Sequence, residues 1–478
     1  MAYLLIFFPL FITAIAAVIK SNRWRPLMLP LASVPHFLMT IYTLITPGMD
    51  ITNSSLKLDP PGKLILLVVS TLFLFCSFYA VPYLRYRKER KNRLFCSCLI
   101  TFLSTMSLVT WAQHLGMLWV AIEATTLVTA PLIYFNHTQF SIEAMWKYLL
   151  VGSVGIAMAL LGTFFLAYAS IHVGLEATLN YSTLIENAPR LSKIWLHLAF
   201  ILLLIGYGTK MGLAPMHTWK PDAYGESPGV VGAIFAGGIT SCAFLALLRV
   251  YHICYAANEG SYVSRLLIFM GLLSMAVAAL FMIRQRDLKR MLAYSSIEHM
   301  GILIIGLGIG VPALFGTLLH VITNGLTKGV LFLSVGNIHR AYGSKNIDHV
   351  HGALRLLPLS GTMFLAGFLA ITGSPPFGPF VSEFAILNGA FSVNKYWVGG
   401  GYLALLMLVF IGMGATVLSA IQGVAPGDIS EKPKFRDGLT TGAPILGLMV
   451  IVLILGIYIP TPLQELINDA VVFLGGQR

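Results

Sequence analysis

Apolar runs of about twenty residues recur along this chain, and that recurrence constrains its fold more than any other feature. A helix needs ~20 apolar residues to cross the hydrocarbon of a bilayer. A window of that length finds fourteen candidate spans, at 2–19, 26–46, 62–82, 94–112, 114–135, 147–171, 194–216, 228–253, 264–283, 290–309, 312–338, 356–393, 399–422 and 440–460. Only 10% of the 478 residues are charged and 57% are hydrophobic. A soluble domain carries about 25% charged residues, so most of this surface has lipid as its solvent. The expected fold is an all-α polytopic membrane protein of about fourteen transmembrane helices. The longest polar connection, 171–192, is too short to be a soluble catalytic domain.

The formal net charge of +12 does not point to nucleic acid, because the basic residues sit in short connections between apolar runs. With the N-terminus outside, 21 Lys and Arg fall on the cytoplasmic side and 8 on the outer side. The inner set includes Lys88, Lys147, Lys220, Lys432 and Lys434; the outer set includes Arg249 and Arg478. Both termini are therefore expected to face outward. The five cysteines are scattered through apolar segments without a CxxC pair, which argues for packing roles and against metal or iron–sulfur ligation in this chain. Leu463, Leu466, Ile467 and Val471 form one apolar face of a helical tail, suited to the membrane surface or to a partner.

A charge at mid-bilayer costs at least a few kcal/mol, so it persists only where it is paired, hydrated or needed. Glu123 lies in the fifth span, Lys210 in the seventh, Lys328 in the eleventh and Glu383 in the twelfth. His320 precedes Lys328 by eight residues, on roughly the same helix face two turns away. Acid and base groups spread over several spans read as a proton relay, whereas a static Glu123–Lys210 pair would add little stability. Glu298 and His299, at the start of the tenth span, are weaker candidates, and the remaining histidines sit near span ends. Pro215 interrupts the seventh span, and Gly373-Ser374-Pro375-Pro376-Phe377-Gly378-Pro379 interrupts the twelfth. Broken spans in corresponding halves mark transport sites. Spans 4–8 and 9–13 are thus expected to be two inverted five-helix repeats. The corresponding division is 1–93, 94–253, 264–422 and 423–478.

These residues also carry a family likeness. The chain resembles the antiporter-like membrane subunits of respiratory complex I, Mrp antiporters and energy-converting hydrogenases. Arg290-Met291-Leu292-Ala293-Tyr294-Ser295-Ser296-Ile297-Glu298-His299-Met300-Gly301 and the short tail look most like the hydrogenase-4 component F type. The segment Lys210 to Ala223, Lys-x-Gly-x-Ala-Pro-x-His-x-Trp-x-Pro-Asp-Ala, is the most recognisable match, and it holds His217 and Lys220. The resemblance implies that Glu123 pairs with Lys210, that His320 and Lys328 share the span-11 face, and that Glu383 sits in the broken span as the exit toward the outer side. It implies no cofactor here. Partner membrane subunits and a hydrophilic arm would carry iron–sulfur clusters, with nickel–iron or quinone, in a bacterial or archaeal inner membrane. Many relatives place a lysine in span 8, where this chain has Ser241. Water, Thr240 or Ser241 would then bridge Lys210 and the Lys328 group.

The expectation is a proton-translocating subunit of a membrane-bound oxidoreductase or hydrogenase complex. The alternatives are a cation/proton antiporter subunit without redox partners, moving protons or sodium, and a non-conducting scaffold. Gly399-Gly400-Gly401 lacks the strand–helix setting of a nucleotide site.

Overall fold

The computed structural model describes residues 1–46, 48–53, 55–87, 89–426 and 435–475. Of the topological charges, Lys88, Lys432, Lys434 and Arg478 lie outside the described residues.

The N-terminal part comprises α1 (Ala2–Val18), α2 (Met28–Ile45) and α3 (Pro60–Tyr86). A small antiparallel hairpin, β1 (Ile51–Asn53) with β2 (Leu56–Lys57), joins α2 to α3 and is a minor departure from the all-α expectation. The first half continues with α4 (Arg93–Trp111), α5 (Leu115–Ile133), α6 (Gln139–Ile171), α7 (Tyr181–Asn187), α8 (Lys193–Met211) and α9 (Trp219–Glu226). Then come α10 (Gly229–Ile234), a π-helical turn (Phe235–Ile239) and α11 (Thr240–Ala256), which run as one rod. The second half holds α12 (Gly260–Met282), α13 (Leu288–Ile309), α14 (Val311–Tyr342), α15 (Ala353–Leu356), α16 (Pro358–Ile371), α17 (Gly378–Ser392) and α18 (Tyr396–Ile421). The chain closes with α19 (Leu439–Ile457) and α20 (Thr461–Gly475).

Twelve helices among the described residues are long and apolar enough to cross a membrane. The count of fourteen is not reached by length. The first expected span is the 17-residue α1, and the twelfth is split into α16 and α17. Other differences lie at the ends. The sixth span begins at Gln139 rather than 147, because Thr138 and Ser141 cap each other's backbone and let the helix extend through a polar turn. The seventh stops at Met211, where Gly212 takes a left-handed φ of 81°.

Burial separates two kinds of helix. The most apolar windows of the α10–α11 rod and of α14 are entirely buried, and that of α13 is 94% buried. Those of α6, α12 and α18 are at most 44% buried and show apolar flanks outward, as a lipid-facing helix must. Glu123, Lys210 and Glu383 sit on the less enclosed α5, α8 and α17, whereas Glu298, His299, His320 and Lys328 are carried by the enclosed α13 and α14. Lys220 and Arg249 are buried as well. They are 0% and 1% exposed, so neither is the loop charge expected of it. The tail helix α20 packs Ile467, Ala470 and Leu474 against its own chain, on α3 and α14.

Candidate functional site

The site starts where α8 ends. Its last carbonyls lack helical partners, and donors from α9 supply them. Trp219 Nε1 donates to the Thr209 carbonyl at 2.9 Å and Lys220 Nζ to the Met211 carbonyl at 2.6 Å. A Cβ on Gly212 would stand 2.5 Å from Lys220 Cδ, so the glycine meets both the turn's backbone and the lysine's passage.

Lys210 points the other way. Its Nζ donates to Thr126 Oγ1 and, at 3.0 Å, to Tyr148 OH, and sits 4.9 Å from that ring. Thr126 in turn donates to Glu123 Oε2 at 3.2 Å. Glu123 and Lys210 thus meet through a hydroxyl rather than in the direct pair expected, and no Glu123–Lys210 ion pair occurs among the described residues. Thr126 and Tyr148 escaped sequence reasoning because single hydroxyls in an apolar span carry no periodic signal.

Thr240 and Ser241 do not bridge the two halves by side-chain contact. Each donates to its own helix, Thr240 to the Ala236 carbonyl and Ser241 to the Gly237 carbonyl, both at 2.7 Å around the π-helical turn. Lys220 occupies the space instead. Its Nζ lies 3.4 Å from the Ser296 carbonyl of α13, and the neighbouring Ser295 Oγ accepts from Lys328 Nζ at 2.6 Å. No carboxylate pairs with Lys220 among the described residues.

Beyond Lys328, α13 is the spine. Ser295 and Glu298 are one turn apart on it, as are Ser296 and His299, and all four are buried. His299 Nδ1 lies 3.0 Å from His320 Nε2 and 3.9 Å from Glu383 Oε1, while its Nε2 lies 3.8 Å from Glu298 Oε2. His320 Nδ1 is 2.9 Å from Ser382 Oγ. His320 therefore joins the Glu383 end rather than a joint store with Lys328, and His299 moves from weak candidate to hub. A helix-face argument could not separate them, because an entirely buried helix presents different neighbours at every turn. Gly373, with φ 68°, brings the break between α16 and α17 against Glu383; a Cβ there would stand 2.2 Å from Oε2. His217 stays apart, half-buried beside Phe281.

Donor atoms of His299, His320 and Glu383 all lie within 4.8 Å of one another, compact enough to hold a cation or pass a proton. Glu298 Oε2, His299 Nε2 and Glu383 Oε1 have no hydrogen-bond partner among the described residues. A buried polar group left unmade costs ~1–3 kcal/mol, so such orphans are kept where function uses them.

On the side of α9 away from Lys220, a cavity of about 440 Å³ is lined by Lys147, Asp222, Glu226, Asp287, Arg290 and Lys345. Lys147–Asp222 at 2.9 Å, Lys345–Glu226 at 2.8 Å and Lys345–Asp287 at 3.0 Å knit its wall.

Residues 112–412 match the profile of the NADH:quinone oxidoreductase/Mrp antiporter transmembrane family. The chain belongs to this family. Among curated proteins, it is 34% identical over 440 residues to the hydrogenase-4 component F homolog of Methylacidiphilum infernorum, covering 87% of this chain and 90% of that one. It is 30% identical to NADH-quinone oxidoreductase subunit N of Desulforudis audaxviator, covering 84% and 82%. A chain in the structure of the Mrp complex from Dietzia sp. DQ12-45-1b superposes with a TM-score of 0.88 at 19% identity, covering 99% of this chain and 97% of that one. This last likeness speaks to fold. The matched family region runs from just before α5 into α18 and so contains every buried ionisable group described above. Span 8 of this chain holds Ser241, and Lys220 lies one helix earlier.

Proposed function

We propose that this chain translocates protons as the antiporter-like membrane subunit of a multi-subunit oxidoreductase of the hydrogenase type. The observation that carries the reading is the run of groups through both halves, which starts at the half-buried Glu123 and continues through the buried Thr126, Lys210, Lys220, Ser295, Lys328, Glu298, His299, His320 and Glu383. Lysine and glutamate in a dry setting shift toward their neutral forms, and a charged neighbour shifts them back. A proton arriving at one member therefore changes the readiness of the next. Protons gather in the charged cavity outside α9, pass by Lys220 to Lys328, and leave by His299, His320 and Glu383 toward the outer side. Glu123, through Thr126, sets the charge state of Lys210. Lys210 and Lys220 flank one turn, so the missing span-8 lysine is replaced by a lysine that reaches the same gap from α9.

In this reading residues 94–253 and 264–422 are the two inverted repeats, and both termini face outward from a bacterial or archaeal inner membrane. Redox centres, iron–sulfur with nickel–iron or quinone, reside in partner subunits. The resemblance to a hydrogenase-4 component F homolog over most of both chains supports that setting.

The test is proton pumping by the intact purified complex in proteoliposomes, driven by its own donor. Lys210→Ala and Glu383→Ala abolish acidification while subunit composition and redox turnover persist. Normal pumping in both variants would favour the scaffold reading. Sodium exchange without a redox donor would favour an independent antiporter.

A further inference from the structure

Two adjoining cavities at the ends of α3 and α14 have the shape and charge of a lipid site. The first, about 490 Å³, is lined by Tyr83, Tyr86, Arg87, Lys289, His339 and Arg340, with Glu89 at its edge. Glu89 pairs with Arg87, which leaves two cations without a carboxylate among the described residues. Lys289 is 2% exposed and its ammonium donates to the Ser227 carbonyl at 3.0 Å. The Arg340 guanidinium is held over the Phe435 ring at 4.1 Å and the Tyr86 ring at 4.4 Å. Its Nε and Nη1 are buried without a hydrogen-bond partner among the described residues.

Stacking of this kind fixes a guanidinium in place and leaves its edge free to donate. A buried charged donor without an acceptor is costly. Oxygens of an anion in the cavity supply acceptors to the edge of Arg340 that lines it and to the Lys289 ammonium. The neighbouring cavity says what the rest of that anion is. Tyr86 also lines a groove of about 980 Å³ formed by Leu27, Phe75, Phe78, Val81 and Leu439 between α2, α3 and α19. Phe78 and Leu439 are 47% and 85% exposed. Its walls are apolar and open outward, where the hydrocarbon lies. A free phosphate has no use for that groove; acyl chains do. The pair lies on the side of the molecule richest in Lys and Arg, where anionic lipids are drawn to basic pockets between helices.

We propose that an anionic phospholipid binds here, its phosphate on Arg340 and Lys289 and its acyl chains along the groove. The inference rests on the charge and shape of this face, and is independent of the proton path.

The experiment is native mass spectrometry and thermal unfolding of the full chain after delipidation. The probes are dioleoyl-phosphatidylglycerol, dioleoyl-phosphatidylcholine and inorganic phosphate, each added alone. The expected result is one phosphatidylglycerol retained per chain with a raised unfolding temperature, and neither with phosphatidylcholine or phosphate. Arg340→Gln lowers retention at least about tenfold, equivalent to ~1.4 kcal/mol. Arg87→Gln, at the cavity rim, lowers it less and serves if the first variant does not fold. Equal retention of both lipids, or unchanged retention in a folded Arg340→Gln or Arg87→Gln chain, overturns the proposal. Stabilisation by phosphate alone overturns the lipid identity and leaves a free-anion site.

Discussion

Lys220 shows what a single residue does to this architecture. Its ammonium is bonded to the Met211 carbonyl and lies near the Ser296 carbonyl, with no carboxylate paired to it among the described residues. Backbone acceptors satisfy hydrogen bonds without neutralising charge, so the amine is free to take up or give away a proton as Lys210 and Lys328 change state. Lys220→Met keeps the volume and apolar stem. It is expected to lower proton pumping about 100-fold, the scale of a lost proton-transfer group, with normal assembly on a native gel. At the other end, Glu383→Gln keeps the shape against Gly373 and removes only the exchangeable charge. Pumping is lost there and the unfolding temperature holds or rises, because a neutral amide is cheaper to bury than a carboxylate. The sequence singled out Glu123, Lys210, His320, Lys328 and Glu383 because charge in an apolar run is a loud signal. It underrated Lys220 because that residue sits next to a span boundary, where a charged side chain has an ordinary interfacial explanation; His299 was placed at the start of its span, whereas it lies in the middle of α13. Which neighbours His320 meets depends on the packing of α13 and α17, and one strand of sequence does not hold that information.

At the scale of elements, the broken helices do the positioning. The α8–α9 break turns on Gly212, and Gly212→Ala introduces both an unfavourable left-handed backbone and a contact with Lys220. That variant is expected to fold with lower stability, by ~1 kcal/mol or more, and to slow pumping while Lys210 itself is untouched. A unilamellar-vesicle acidification assay beside a thermal melt separates the two effects. A second device holds α3, α4 and α11 together. Arg249 donates to both Asp59 oxygens at 2.9 and 3.0 Å and to the carbonyls of Val109, Thr110 and Ala112. Asp59 also caps α3 through the Gly62 amide. Removing one partner of such a buried pair costs ~3–5 kcal/mol. Arg249→Ala should therefore abolish accumulation of the folded chain, seen as loss of the monodisperse peak in fluorescence size-exclusion chromatography. Both breaks were legible from proline and glycine placement. The Arg249 clamp was not, since an arginine at the end of an apolar run reads as a topological charge until its acceptors are seen.

The whole molecule sorts its helices by solvent. Outer helices such as α6, α12 and α18 give apolar flanks to lipid, and the α10–α11 rod, α13 and α14 are enclosed. Hydropathy sees both kinds alike, which is why the spans could be placed from sequence while their burial could not. Polar side chains are tolerated in the enclosed set because neighbouring helices supply their partners. The proposed proton route uses this enclosed set, from the charged cavity outside α9 to the α16–α17 break. The most direct test is redox-driven acidification by the intact complex in proteoliposomes carrying the Lys220→Met chain, measured beside redox turnover and subunit composition. Turnover and composition are expected to persist while acidification falls about 100-fold; acidification at the unsubstituted rate would rule out conduction through Lys220.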